Sequence, residues 1–262
     1  MQFEVDGDAV FASTGGRPFD AALPAIVFVH GAGLDHTVWK LQTRYFAWHE
    51  RTVLALDLPG HGRSGGAPLE TLPAISDWLT RFLDAAGLGQ AALVGHSMGA
   101  LIALDAAGRH ADRVAKLALL GPGYPMRVND ALLEAAKAND IAAIDMMNVW
   151  GYGRPAQLGR HRMPGLWMMR SALRLWQQAP AGVLYADLAA CNAYDGGEAA
   201  AEAVRCPTLA IVGDADLMAP VKLTRNITGR IKDIDVVTLP GAGHTMIEEQ
   251  PDETLDALRR LL

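Results

Sequence analysis

The run Ala91-Ala92-Leu93-Val94-Gly95-His96-Ser97-Met98-Gly99 leads straight into a helix-like stretch from Ala100 to Ala107. An apolar strand that turns into a helix within about two residues crowds its own backbone at the turn. Gly95 and Gly99 remove the side chains that would collide there, so a G-x-S-x-G in this setting describes a strained strand–serine–helix elbow. Ser97 then points up from the sheet edge, and the Met98 N–H points into the same space from the helix N-terminus, where it can stabilise a developing negative charge. In this context Ser97 is a candidate nucleophile rather than a serine that only caps a helix.

The rest of the chain supplies a sheet for that elbow. Gln2–Val5 and Asp8–Ser13, parted by Asp6-Gly7, form an edge hairpin. Ala25–Val29 is apolar on both faces, as a covered parallel strand should be, and runs into the glycine-rich loop His30-Gly31-Ala32-Gly33-Leu34-Asp35. A crossover helix over 39–49 leads to the strand Thr52–Leu56 and the irregular loop 57–65, then to a helix over 69–86 with apolar residues at 3.6-residue spacing. After the elbow and its helix comes the strand Val114–Leu120. From Gly121 the rhythm breaks, and helical patterns cover 131–149, 166–178 and 181–192. Strands at 207–212 and Ile234–Leu239 resume the sheet, each followed by a loop and a helix.

The expected fold is α/β. It has a mostly parallel central sheet of about eight strands, covered by helices on both faces, with a helical cap inserted after the sixth strand. Residues 1–121 and 206–262 make the core domain, and residues 122–205 the cap subdomain. The 262-residue length suits one core with an insertion of that size.

Composition narrows the function. A net charge of -6 and a pI near 5.7 leave no electrostatic footprint for nucleic acid. Cys191 and Cys206 sit in no C-x-x-C pattern and read as free thiols of a reducing compartment. The first eight residues carry Glu4, Asp6 and Asp8 instead of a basic-then-apolar leader, and no apolar run reaches the ~18 residues of a membrane span, so a cytoplasmic protein is expected. No H-x-H, H-E-x-x-H or Cys/His spacing suggests a metal, and Gly60-His61-Gly62 lacks the lysine and helix start of a phosphate loop. Neither metal nor cofactor is expected.

A serine nucleophile needs a base, and the base an orienting acid. Asp216 follows the penultimate strand and His244 the last one. In a parallel sheet both loops emerge on the edge that carries Ser97. Asp214 is the competing acid; Asp216 is preferred because the loop must first turn at Gly213 and Asp216 lies nearer the helix opened by Pro220. His36 and His61 are loop histidines with no orienting acid in a matching place. His49 and His110 sit at helix ends, His161 lies in the cap, His96 packs beneath the elbow, and His30 ties down its loop. The second oxyanion donor is assigned to the Ala32 N–H beside that of Met98, with Gly33 as the alternative.

The segments FVHGAG (28–33), DLPGHGRS (57–64), GHSMG (95–99), GDADLMAP (213–220) and GAGHTMIEEQP (241–251) together resemble the α/β-hydrolase fold superfamily over nearly the whole chain. The resemblance implies a catalytic triad at Ser97, Asp216 and His244 and an oxyanion hole at Ala32 and Met98. Serine at the nucleophile position argues against the haloalkane dehalogenases and epoxide hydrolases, which use aspartate. The chain looks most like the capped group of esterases, 3-oxoadipate enol-lactonases, arylesterases with perhydrolase activity and carbon–carbon bond hydrolases.

The implied activity is hydrolysis of small to medium, largely apolar carboxylic esters or lactones through an acyl-enzyme. The alternatives are a carbon–carbon hydrolase of a ring-cleavage pathway, a cofactor-free perhydrolase, and a non-catalytic binding protein on the same scaffold. The cap's methionines and tryptophans suggest an apolar, adaptable pocket, with Gly33, Met147, Trp150, Trp167 and Met168 as candidate lining residues. Arg154, Arg160, Arg162 and Arg170 could meet a substrate carboxylate. The expected partner is a small molecule, with no nucleic acid and no membrane.

Overall fold

The computed structural model describes residues 1–160 and 167–262. Short runs rich in Val, Leu and Ala, apolar on both faces, form strands buried from end to end: β3 (Ala25–Val29), β4 (Thr52–Leu56), β5 (Ala91–His96) and β7 (Thr208–Gly213). With β1 (Gln2–Val5), β2 (Asp8–Ser13), β6 (Val114–Leu120) and β8 (Ile234–Leu239) they make one 8-stranded sheet in the order β1-β2-β4-β3-β5-β6-β7-β8. β1 and β2 pair antiparallel, as do β2 and β4, and every other pairing is parallel. The sheet expected from the sequence is the sheet observed.

β4 lies on one side of β3 and β5 on the other, so the winding reverses at β3. In an open parallel sheet such a reversal opens a crevice at the carboxyl ends of the two diverging strands. Register puts Val29 beside Gly95. The loop from His30 and the turn at Ser97 therefore leave the sheet side by side.

The helices are α1 (Lys40–Ala47), α2 (Leu72–Ala85), α3 (Met98–Arg109), α4 (Asp130–Lys137), α5 (Ile141–Gly151), α6 (Arg154–Gln157), α7 (Met168–Trp176), α8 (Val183–Ala193), α9 (Gly197–Ala203), α10 (Val221–Thr228), α11 (Met246–Glu249) and α12 (Pro251–Leu261). α1 and α12 pack together, and α2 packs on α3. The Thr71 side chain caps α2 at the Ala74 N–H, and the helix buries Leu72, Ile75, Leu79, Phe82 and Leu83, the residues whose spacing announced it. α3 is buried on every residue from Met98 to Ala107, because α2 and α9 cover what the sheet does not.

α4 to α9 lie between β6 and β7. The single helix expected over 131–149 is two, since Asn139 takes a left-handed φ of 53° and the Asp140 side chain caps the Ala142 N–H to start afresh. α9 packs on α3, and the Tyr194 hydroxyl just before it donates to the buried Asp105 Oδ1 of α3 at 2.9 Å. His161, Arg162, Met163 and Leu166 lie outside the described residues. Among the described residues, no helix is long and apolar enough to cross a membrane.

Candidate active site

Ser97 holds φ 56° and ψ -119°, a conformation that costs a non-glycine residue about 1–3 kcal/mol. The turn is fastened on both sides: the Ser97 N–H donates to Leu120 O and the Ser97 carbonyl accepts from the Ala100 N–H, each at 2.9 Å. A Cβ on Gly95 would stand 2.1 Å from Gly99 O, and one on Gly99 2.3 Å from Val29 O. Only glycine at both positions lets the elbow close on itself and seat against β3.

His244 arrives on the loop after β8, and its Nδ1 lies 2.8 Å from Asp216 Oδ2. Both side chains are buried. Asp216 Oδ1 accepts the N–H groups of Met218 and Ala219, each at 2.8 Å. Burial alone would raise the Asp216 carboxyl, but the His244 ring and those two N–H donors together hold it below the usual range. The carboxylate is therefore ionised at neutral pH and keeps the Nδ1 proton on His244. His244 Nε2 is buried and has no hydrogen-bond partner among the described residues. Asp214 lies elsewhere, accepting the Gly241 N–H at 2.6 Å as a turn cap.

Two further histidines brace the site in neutral form. His96 Nε2 donates to the His244 carbonyl at 2.7 Å, and burial with the facing His244 ring pushes His96 down to about 3. His30 Nδ1 donates to Gly31 O at 2.9 Å while its Nε2 accepts the Leu58 N–H at 3.2 Å, and burial lowers it to about 4. His30 thus ties its loop to the end of β4.

Ser97, His244 and Ala32 line one cavity of about 360 Å³. Its walls include Met126, Leu132, Met147, Trp150, Leu188 and Met218, and Arg127 is the one Lys, Arg, Asp or Glu among the lining residues described. Met147 and Trp150, two of the candidate lining residues, border it. Gly33 does not line this cavity, and its N–H donates to Asp187 Oδ2 at 2.8 Å. Trp167 stands at the start of α7, 59% exposed, on an outer cleft beyond residues 34–40 that it shares with Arg170, while Met168 turns into the core. Neither meets Ser97. Arg154 and Arg160 do not line the cavity either, and Arg162 lies outside the described residues.

The expectation that His36 and His61 lack an acid is corrected. His36 Nδ1 lies 2.7 Å from Asp57 Oδ1, and His61 Nε2 lies 2.8 Å from Asp187 Oδ2. Asp187 escaped the sequence reading because it is 126 residues from His61. Its signal was there, as the one charged residue in the apolar α8 sequence VLYADLAACNA. Arg127 carries no such signal, standing in the connection before α4 and outside any helical pattern. Asp35, His36 and Asp57 bring donor atoms within 4.8 Å of one another. Asp57 is already engaged there, by the His36 ring and N–H at Oδ1 and by the Arg63 N–H at Oδ2.

Relatives bear on what this geometry serves. A hydrolase of (E)-2-((N-methylformamido)methylene)succinate from Acinetobacter baylyi is 24% identical over 90% of this chain and 89% of its own. A pimeloyl-[acyl-carrier protein] methyl ester esterase from Aromatoleum aromaticum is 29% identical over 88% of this chain and 94% of its own. The solved structure of a thermophilic esterase superimposes with a TM-score of 0.83 at 25% identity, covering 99% of this chain and 95% of the other. Residues 26–257 match the model of the alpha/beta hydrolase family, and the chain belongs to that family.

Proposed function

We propose that the chain is a serine hydrolase acting on carboxylic esters or lactones of small to medium, largely apolar molecules. One observation carries this reading: a strained Ser97 and an Asp216-oriented His244, whose Nε2 has no partner among the described residues, face the same apolar cavity. Ser97 Oγ attacks the substrate carbonyl as its proton passes to His244 Nε2. Asp216 stabilises the imidazolium that forms, and the Ala32 and Met98 N–H groups take the charge on the carbonyl oxygen. Collapse expels the alcohol, which receives the proton from Nε2 and leaves the acyl group on Ser97. Water then attacks that ester, giving its proton to His244, and the acid departs as Ser97 recovers the proton.

On this reading residues 122–205 form a cap whose α4, α5 and α8 roof the cavity, over a core of residues 1–121 and 206–262. The apolar walls favour an uncharged acyl or alcohol group, and a volume near 360 Å³ suits a small one. Substrates of carbon–carbon hydrolases, which carry acidic vinylogous diketones, would meet one cationic anchor there, Arg127. The names of the esterase relatives agree with the ester reading. The two free thiols fit the cytoplasm expected for it.

The test is hydrolysis of p-nitrophenyl esters from acetate to decanoate by the wild type and by Ser97→Ala. Turnover should peak at short acyl chains and fall at least about 10³-fold without the serine. A peak at decanoate would contradict the size assignment. Equal turnover by Ser97→Ala would contradict the mechanism.

A further inference from the structure

The Ala32 carbonyl and the Gly33 N–H are the two polar ends of one peptide unit, and both are held from the segment between β6 and β7. Trp176 Nε1, at the end of α7, donates to Ala32 O at 3.1 Å. Asp187 Oδ2, in α8, accepts from the Gly33 N–H at 2.8 Å. The same oxygen lies 2.8 Å from His61 Nε2, and His61 Nδ1 lies 2.9 Å from the Pro59 carbonyl. A carbonyl only accepts, so Nδ1 carries a proton, and the carboxylate draws a second one onto Nε2. Burial opposes that charge, but Asp187 outweighs it and raises His61 above the ordinary histidine value. Trp176, Asp187 and His61 are 5%, 1% and 3% exposed. α8 also sits hard on the loop: Gly33 has φ +65°, and a Cβ there would stand 2.9 Å from Leu184 Cδ1.

A buried ion pair is a poor source of stability, since well-packed apolar groups of the same volume often do as well or better. What this pair does have is direction. The 32–33 peptide adjoins the Ala32 N–H across a single α-carbon, so fixing its plane restricts where that N–H can point. Extending the serine-hydrolase reading, we propose that Asp187 and Trp176 are positioning residues of the oxyanion hole. They clamp the 32–33 peptide from both ends so that the Ala32 N–H faces the carbonyl attacked by Ser97. Asp187 borders no described pocket with Ser97, while the Trp176 ring borders a small one beside Ser97 and His244 and its N–H is taken by Ala32 O. The hole is complete only while α7 and α8 are docked, which ties assembly of the site to closure of the segment that roofs it.

Interactions that improve only in the transition state appear in kcat and not in KM. Asp187→Asn keeps the volume and removes the charge, and Trp176→Phe keeps the ring and removes the N–H. Each is expected to lower kcat by about tenfold or more while KM stays within about twofold. Because both act on one peptide, the double variant should lose less than the product of the single losses. A phenylboronic acid, whose tetrahedral adduct on Ser97 places an oxygen in the hole, should weaken in parallel with kcat.

Wild type and Ser97→Ala are measured alongside. Without serine-dependent turnover in the wild type, both the function and the clamp are overturned. With it, unchanged kcat and boronate affinity in Trp176→Phe overturn the clamp and leave the function standing, even if Asp187→Asn fails to fold. A loss confined to KM in both variants has the same effect.

Discussion

His61 shows how one residue links pH to the fold. Its ring faces Asp187 from α8, Asp57 at the end of β4 and, with centroids 4.9 Å apart, the His30 ring. Burial lowers its proton affinity, yet the two carboxylates, Asp187 above all, raise it beyond the usual value. A histidine whose folded pKa is raised contributes stability that is full below its unfolded value of about 6.5. That contribution is lost as pH climbs through the raised folded value. The thermal midpoint of the wild type should therefore exceed that of His61→Gln by most near pH 6, with the gap narrowing on alkalinisation. A gap that widens with pH would contradict the charged pair. The contrast with Ser97, Asp216 and His244 marks what a sequence reveals at this scale. The position of those three on one sheet edge was legible because each follows a strand whose end is fixed by the sheet. Asp187 was not, because its partners lie across a fold-back that no local spacing records.

At the scale of elements, the elbow joining β5 to α3 was the most legible piece of the chain. Its signature is local: an apolar strand, two glycines and an apolar helix. Gly99→Ala adds one methyl group, 2.3 Å from the Val29 carbonyl. The obstacle is backbone, so β3 or the elbow must move, and a destabilisation of about 3 kcal/mol or more is expected. Urea unfolding measures it; a loss below about 1 kcal/mol would mean the elbow tolerates a side chain it has no visible room for. The segment between β6 and β7 was less legible, for a physical reason. Its helices carry Met, Trp and Ala on several faces, so the apolar pattern does not say which face meets the cavity. Met147 and Trp150 line it, Met168 enters the core and Trp167 faces out. The break at Asn139 was hidden too, since a left-handed asparagine inside an apolar helical pattern leaves the period almost undisturbed.

Across the whole molecule, the parallel sheet does the collecting. Every chemical group in the proposed mechanism follows the carboxyl end of a strand: Ala32 after β3, Ser97 and Met98 after β5, Asp216 after β7, His244 after β8. Strand number and sense were readable in advance from the alternation of short apolar runs with helical periods, whereas the order across the sheet, with its reversal at β3, was not. What the remaining segment adds is a roof of apolar side chains and, through Trp176 and Asp187, a hold on the loop beside Ser97. On the proposed mechanism this assembly makes one serine a nucleophile. The direct measurement is mass spectrometry after exposure to a fluorophosphonate. The expected result is one phosphonyl group, on the peptide containing Ser97, no labelling in Ser97→Ala, and strongly slowed labelling in His244→Ala. A wild type that stays unlabelled, or is labelled at another residue, would contradict it.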